Sequence, residues 1–321
     1  MRMRHSIYWL VLATIVALPL FASGGTFTIP EWVEKSCVFV MKGEKAEGTG
    51  FVLGVRDHET TFFYFVTAKH VMKPALTGAE TLKLRLNRRD SDTADVVDFP
   101  LFVFDGKPWM EHSNPAIDLA VTPLAIGDKL EKYDVKMTTV DSPSNEVFAC
   151  EQFIQKYKVR PGDQAFAMGL VPYLFSKDVK NLVMARSGSI SMVGTSELPL
   201  PGGKQKAHFL DCAAFGGQSG GPAFVLLERS DSGALIAGWR IALLGVTTEF
   251  VPSFLRTTKV TLAEQEKREA VVPIENTGIS KVVPVDYLAD MLFSDEQKSF
   301  REAIIKQQKD SSNKAIDSDK E

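Results

Sequence analysis

Hydrophobic positions recur at strand periods through most of this chain. Cys37–Met41 is a short apolar run, and Thr49–Val55 follows it, ended by the polar turn Arg56-Asp57-His58-Glu59. Thr61–Thr67 reads T-F-F-Y-F-V-T, the aromatic and β-branched make-up of a buried strand. Thr81–Leu86 alternates strictly, with Leu82, Leu84 and Leu86 on one face. Val96–Phe104 and Ile117–Leu124 complete six strand-like segments, with no long helical pattern between them. Short strands at such spacing predict a sandwich or barrel. Residues 125–158 are more polar and hold the Ser142-Pro143-Ser144-Asn145 cluster, which predicts a linker between two units. A second strand series opens at the turn Val159–Asp163. It runs through Gln164–Leu170, Leu182–Ala185, Ser189–Val193, Ala207–Cys212, Gly221–Leu227, Leu235–Val246 and Ile279–Val283. Residues 256–278 interrupt this series with charge, which predicts a surface loop or short helix. Val285–Phe293 has helical spacing, with Leu288 and Leu292 four apart. The charged tail from Ser294 predicts a helix around Phe300 and Ile304 and then disorder.

The expected organisation is therefore a first β unit over 31–124, a linker over 125–158, a second β unit with a closing helix over 159–293, and a tail over 294–321. Residues 1–24 stand apart. A basic start with Arg2 and Arg4, an uncharged run over Ile7–Phe21 and the small-residue exit Ala22-Ser23-Gly24 are the parts of a secretory signal peptide. The run is shorter than the ~20 residues a spanning helix needs. An uncleaved anchor that tethers the chain to a membrane through residues 7–21 is the competing reading. The expectation is export, to a periplasm or the outside medium.

Composition narrows the class. The chain has 321 residues, 45% hydrophobic and 24% charged, ordinary globular usage that excludes a disordered or multi-span membrane chain. With 37 Lys+Arg against 40 Asp+Glu, the net charge of −3 gives no basic surplus for binding nucleic acid. Oligomeric state is not legible. Three cysteines, Cys37, Cys150 and Cys212, allow at most one bridge, and the sequence leaves open whether any pair forms.

Three motifs carry chemistry. Phe215-Gly216-Gly217-Gln218-Ser219-Gly220-Gly221-Pro222 surrounds one Ser with four Gly. Such a loop permits positive φ and can project a hydroxyl beside free backbone N–H groups, the needs of a nucleophile and an oxyanion hole. Its bland alternative is a Gly-rich turn. Phe65-Val66-Thr67-Ala68-Lys69-His70-Val71 ends an apolar strand on a His, which suits a general base held by a scaffold or a satisfied loop His. Asn114-Pro115-Ala116-Ile117-Asp118-Leu119-Ala120-Val121 opens an apolar strand on an Asp, a carboxylate that needs a partner when buried. A His N–H is a suitable one, and a plain turn Asp is the alternative.

Taken together, G-T-G-F at Gly48–Phe51, V-T-A-K-H at Val66–His70, D-L-A-V at Asp118–Val121 and G-Q-S-G-G-P at Gly217–Pro222 resemble the trypsin-like (chymotrypsin-fold) serine peptidases. The order His, Asp, Ser is theirs, and the short forms look closer to the bacterial high-temperature-requirement type. The resemblance covers about residues 31–293. It implies an all-β chain of two six-stranded antiparallel barrels with the active site in the cleft between them, followed by a short helix. It implies an endopeptidase acting on protein or peptide substrates, with Ser219 as nucleophile, His70 as general base and Asp118 orienting it. The N–H groups of Gly217 and Ser219 would form the oxyanion hole, and no metal or organic cofactor would be required.

Departures from the family pattern sharpen the expectation. Gln218 stands where digestive members carry an Asp that pairs with a new N-terminal ammonium, so no such activation is expected. Ala213 falls at the base of the primary specificity pocket and offers no carboxylate, which predicts cleavage after small or apolar side chains. Leu244–Thr248, with Val246 and Thr247, would wall that pocket and pair with the substrate backbone. Lys69 takes a place where the family commonly has a small residue, and either points outward or disturbs His70. The stretch after Phe293 is too short for an appended peptide-binding module, so regulation by one is not expected. Two other functions share this frame: a catalytically silent relative that binds peptides through the cleft, and a non-peptidase hydrolase such as an esterase.

Overall fold

The computed structural model describes residues 27–104, 106–127, 129–171, 176, 178–213, 215–254 and 274–318. The leader and most of the charged segment 256–278 lie outside the described residues.

The first unit is one eight-stranded sheet. Its strands are β1 (Cys37–Lys42), β2 (Lys45–Asp57), β3 (Thr60–Thr67), β4 (Thr81–Asn87), β5 (Ala94–Pro100), β6 (Met110–Glu111), β7 (Ala120–Leu124) and β8 (Thr139–Val140). They lie in the order β5-β4-β1-β2-β3-β7-β6, with β8 parallel to β2. The run T-F-F-Y-F-V-T lacks alternation because both faces of this sheet are covered. Phe51, Leu53, Val55, Tyr64 and Val66 join a core shared with the second unit. Val52 and Phe65, on the opposite face, meet Leu82, Leu84 and Leu86. Side chains alternate across a strand, so a strand buried on both sides reads as continuously apolar.

The second unit holds β9 (Gln164–Leu170), β10 (Val183–Met192), β11 (Leu198–Leu200), β12 (Gly203–Gln205), β13 (His208–Asp211), β14 (Pro222–Arg229), β15 (Leu235–Phe254) and β16 (Ile274–Pro284). Six of them close a barrel in the order β10-β13-β16-β15-β14-β9, and β11-β12 form a separate hairpin. All its pairings are antiparallel. The short helices are α1 (Glu31–Glu34), α2 (Lys69–Leu76), α3 (Lys129–Lys132), α4 (Glu151–Lys156) and α5 (Val285–Leu292). The expected fold class holds: the chain is mostly β, with two barrel-like units and a closing helix that buries Leu288 and Leu292. The first sheet has more strands than the pattern predicts, because β6 and β8 are two residues long and too short to leave a periodicity.

Three segments depart from expectation. Residues 125–158, expected as a linker between the units, are more buried than their polar cast predicts: Val140, Phe148, Ala149, Cys150, Phe153 and Ile154 lie in the shared core. Their apolar positions are interrupted by turns, which hides the burial in a window average. Residues 274–278 of the charged segment belong to β16. The tail forms α6 (Asp295–Ser318), so helix replaces the disorder expected at its end as far as Ser318. Gln, Lys, Glu, Ala and Arg, all good helix formers, make up half of it. It is anchored by Arg301, 2% exposed, whose guanidinium donates to Asp57 Oδ2 at 2.9 Å, Leu292 O at 2.8 Å and the Tyr64 hydroxyl at 3.3 Å. Cys37, Cys150 and Cys212 are free and buried. Burial pushes the Cys37 thiol up to about 12. No helix among the described residues is long and apolar enough to cross a membrane.

The two units are tied together away from the candidate site as well. Arg85 on β4, 2% exposed, donates to Asn181 Oδ1 at 2.5 Å and to the carbonyl of Val179 at 2.6 Å. The Asn181 side chain returns a bond to Arg85 O at 2.7 Å, and its N–H reaches Asn87 Oδ1 at 2.6 Å.

Candidate active site

His70 and Asp118 meet at the first unit's edge. The apolar β3 ends at Thr67, and Ala68, in extended conformation, leads into α2 with His70 in its first turn. Helix α2 buries Val71, Met72, Ala75 and Leu76, which sets the side of the helix on which His70 emerges. The first N–H groups of a helix lack internal acceptors, and Ala68 has no side chain to cap them. Asp118 supplies that cap from another segment: its Oδ1 accepts the His70 backbone N–H at 2.9 Å. Its Oδ2 meets His70 Nδ1 at 2.6 Å. An ionised carboxylate only accepts, so Nδ1 carries the proton and Nε2 is left with the lone pair in the neutral ring.

Asp118 is itself fixed by its neighbours. Ile117 and Leu119 are fully buried on either side. The preceding turn is closed by Asn114, whose carbonyl accepts the Ile117 N–H at 3.1 Å and whose Oδ1 accepts the Ala116 N–H at 2.9 Å. Lys69 does not crowd the imidazole. Its ammonium donates to Pro115 O at 2.8 Å and ties α2 to the same turn. The hydrogen bond to Asp118 raises His70 above its ordinary value, against desolvation that would lower it. Burial pushes the Asp118 carboxyl up, but the bonds and charge of His70 outweigh it and hold the group below its ordinary value.

Ser219 lies in two consecutive turns between β13 and β14. The Gln218 N–H donates to Phe215 O at 3.1 Å, with Gly217 at φ +95°, and the Gly221 N–H donates to Gln218 O at 3.1 Å, with Gly220 at φ +89°. Positive φ at the third position of a turn is the type II pattern, which favours Gly. Gln218 is buried, and its Oε1 accepts the Phe215 N–H at 3.0 Å, so the side chain closes its own loop. The loop is pressed onto the His-bearing corner at Gly220. A Cβ there would lie 2.0 Å from Thr49 O and 2.1 Å from Thr67 Oγ1. The Thr49 N–H donates to Ser219 O at 3.0 Å, and the Gly220 N–H donates to Thr247 O at 2.7 Å.

Three segments thus converge on Ser219: Gly48-Thr49 of β2, the β3–α2 corner, and Thr247-Thr248 of β15. The Ser219 hydroxyl donates to Thr248 O at 2.8 Å, and among the described residues it makes no hydrogen bond to His70. The N–H groups of Gly217 and Ser219 are unbonded among the described residues.

The expected substrate residues are placed differently. Ala213 is half-buried just beyond β13. Val246 belongs to the shared core. Both edges of β15 are occupied at Val246 and Thr247, by β14 and the Gly220-Gly221 backbone on one side and β16 on the other. These two residues cannot pair with an added strand. Among the described residues, the edge facing Ser219 is free of ladder partners only from Thr248 onward. Next along it, Glu249 accepts from the buried Lys281 ammonium at 2.7 Å. This pair lies close enough to act on His70, Glu249 raising it and Lys281 lowering it. The sequence reading included Thr248 in the expected substrate strand Leu244–Thr248, but missed Glu249 and Lys281, for which no motif exists, and the bonding of Thr49, which the G-T-G-F motif did hold. Among the described residues no group of three or more His, Cys, Asp or Glu side chains could hold a metal ion.

The chain is similar to several solved structures at low identity. The apo protease domain of MamO from Magnetospirillum magneticum is 14% identical, with 81% of this chain and 97% of that one covered at a TM-score of 0.43. The HtrA-type protease AlgW with decapeptide is 16% identical, with coverage of 82% and 65% and a TM-score of 0.42. The active form of the Rv3671c protease from M. tuberculosis is 16% identical, with coverage of 81% and 80% and a TM-score of 0.43. No curated protein matches the chain. The family model of the trypsin-like peptidase domain matches residues 48–229, more than half of the chain and the whole stretch from the G-T-G-F motif past the Ser219 loop, so the chain belongs to the trypsin-like peptidase domain family.

Proposed function

We propose that this chain is a serine endopeptidase that hydrolyses peptide bonds through Ser219, His70 and Asp118. The observation that carries the reading is the convergence of an Asp-bonded imidazole and a Gly-framed serine on one inter-unit junction, beside two N–H groups with no partner among the described residues. Rotation about the Ser219 Cα–Cβ bond frees its hydroxyl from Thr248 O and turns it to His70 Nε2. The imidazole takes the proton as Ser219 Oγ adds to the scissile carbonyl. Asp118 keeps the ring in the required tautomer and stabilises the imidazolium. The Gly217 and Ser219 N–H groups receive the oxyanion. His70 then protonates the leaving amine, and water repeats the sequence on the acyl-enzyme. The substrate strand runs along the open edge at Thr248–Phe250. Ala213 at the pocket base favours small or apolar side chains at the cleavage position. The basic start and apolar run of residues 1–24 support an activity outside the cytoplasm, which a fractionation blot would test.

Casein hydrolysis and fluorophosphonate labelling by the wild type, both lost in Ser219→Ala, are the expected results. Ester turnover without casein hydrolysis would move the assignment to an esterase. The Ser219–Thr248 bond favours a second reading, a silent binding module whose hydroxyl stays parked, and that reading requires a wild type that neither labels nor cleaves.

A further inference from the structure

Thr49 is fully buried, and each of its polar groups is engaged. Its hydroxyl accepts the Leu170 N–H of β9 at 2.9 Å and donates to Gly217 O at 2.7 Å. Its N–H donates to Ser219 O at 3.0 Å, and its carbonyl accepts the Thr67 hydroxyl at 2.6 Å. One residue of the first unit thus grips two carbonyls of the second unit's serine loop, those of Gly217 and Ser219, on either side of Gln218. It also braces itself against β3 behind and β9 beside it.

The loop needs such a grip. Gly216, Gly217, Gly220 and Gly221 leave its peptides free to rotate at little steric cost. Gln218 carries no charge with which an ammonium could lock the segment, and its Oε1 already serves the Phe215 N–H. The Gly217 carbonyl and the Gln218 N–H share one peptide plane, and the Ser219 carbonyl and the Gly220 N–H share another. Holding both oxygens sets both planes. The Gln218–Ser219 peptide between them, which carries the Ser219 N–H, has little freedom left.

We infer that Thr49 is a positioning residue: its hydroxyl and N–H hold the Gly217–Ser219 segment in the orientation that presents the oxyanion donors. This rests on the peptidase reading. Its consequence is that the site is assembled by the seating of one unit on the other, with no activating chain terminus.

The test compares Thr49→Val, which keeps the shape but loses the hydroxyl, with Thr49→Ser, which keeps the hydroxyl. Two readouts are followed in the full chain: amide hydrogen exchange of Gln218, Gly220 and Gly221, and kcat and KM on a peptide substrate. In Thr49→Val the three amides should exchange roughly 5- to 10-fold faster, the scale of one lost hydrogen bond. Its kcat should fall roughly 10- to 100-fold, since about an ångström of misplacement can cost ~10²-fold, with KM little changed. Thr49→Ser should recover most of both. A valine variant with wild-type exchange, or with faster exchange and undiminished kcat, would overturn the assignment, as would a serine variant as impaired as the valine one. If the wild type neither cleaves nor labels, the peptidase reading fails by itself, and the exchange comparison still decides whether Thr49 holds the loop. Should Thr49→Val not fold, Thr49→Cys replaces it, its thiol filling similar space with only weak hydrogen bonding.

Discussion

His70 and Ser219 reach the same junction by different means. His70 is placed by a side chain: both oxygens of Asp118 hold it, one on the ring and one on the backbone. Ser219 is placed by backbone: its carbonyl is gripped by Thr49, and the next residue is a Gly pressed between Thr49 and Thr67. The first arrangement depends on charge and protonation, so it can be weakened by degrees with pH. The second depends on close seating at Gly220, which a single added methyl would disrupt outright. Each half of the site is therefore open to a different kind of perturbation.

Asp118→Asn attacks the first half alone. The amide can still accept the His70 backbone N–H, but it no longer holds the Nδ1–H tautomer. We expect kcat on a peptide substrate to fall by about 10⁴-fold, as loss of the orienting carboxylate does in such triads. A drop below tenfold would show that His70 is positioned without Asp118.

Gly220→Ala attacks the second half. Its Cβ would meet Thr49 O at 2.0 Å and Thr67 Oγ1 at 2.1 Å in a backbone at φ +89°. Overpacking and left-handed strain together should cost about 3 kcal/mol or more in denaturant unfolding, with activity lost. Gly216→Ala is the control, because nothing lies within 4 Å of that position. Its unfolding free energy should stay within about 0.5 kcal/mol of wild type. Equal costs at the two glycines would contradict close seating at Gly220.

Titration sharpens the comparison further. His70 is raised above the ordinary histidine value of about 6.5, chiefly by its hydrogen bond to Asp118. In the proposed mechanism His70 must be neutral to take the proton, so the acidic limb of kcat/KM should have its midpoint above 6.5. Stability linked to this group has the matching sign. It is fully present below the unfolded pKa and is lost as pH rises through the raised folded value. A limb centred below 6.5 would mean that desolvation outweighs the Asp118 bond. Apart from the Gly216→Ala control, the smallest effect belongs to Lys69→Met, which removes only the exposed bond to Pro115 O. Unfolding should change by less than about 1 kcal/mol, with the pH midpoint unmoved.

How much of this was legible follows from the range of each interaction. The alternation of Leu82, Leu84 and Leu86 and the doubly apolar β3 are local consequences of burial, and both were read along the chain. The motifs around His70, Asp118 and Ser219 were legible for the same reason, because each needs its own neighbours: an apolar strand, a capped turn, a run of glycines. The polar cast of 125–158 misled, because its buried residues are scattered between turns and meet only in the shared core. Arg301 looks like any other tail residue until Asp57 and Tyr64, far away in sequence, close around it.

By itself, then, the sequence determined the strands, the two-unit plan and the residue types from which a site is built, since these rest on side-chain periodicity and turn chemistry within a few residues. Only the tertiary structure decided which groups hold which. Asp118 caps a helix 48 residues before it, Thr49 grips a carbonyl 168 residues after it, and the Ser219 hydroxyl settles on Thr248. Within the expected stretch Leu244–Thr248, it also left only Thr248 open along the edge of β15 among the described residues, because ladder pairing uses up backbone groups according to which strands become neighbours.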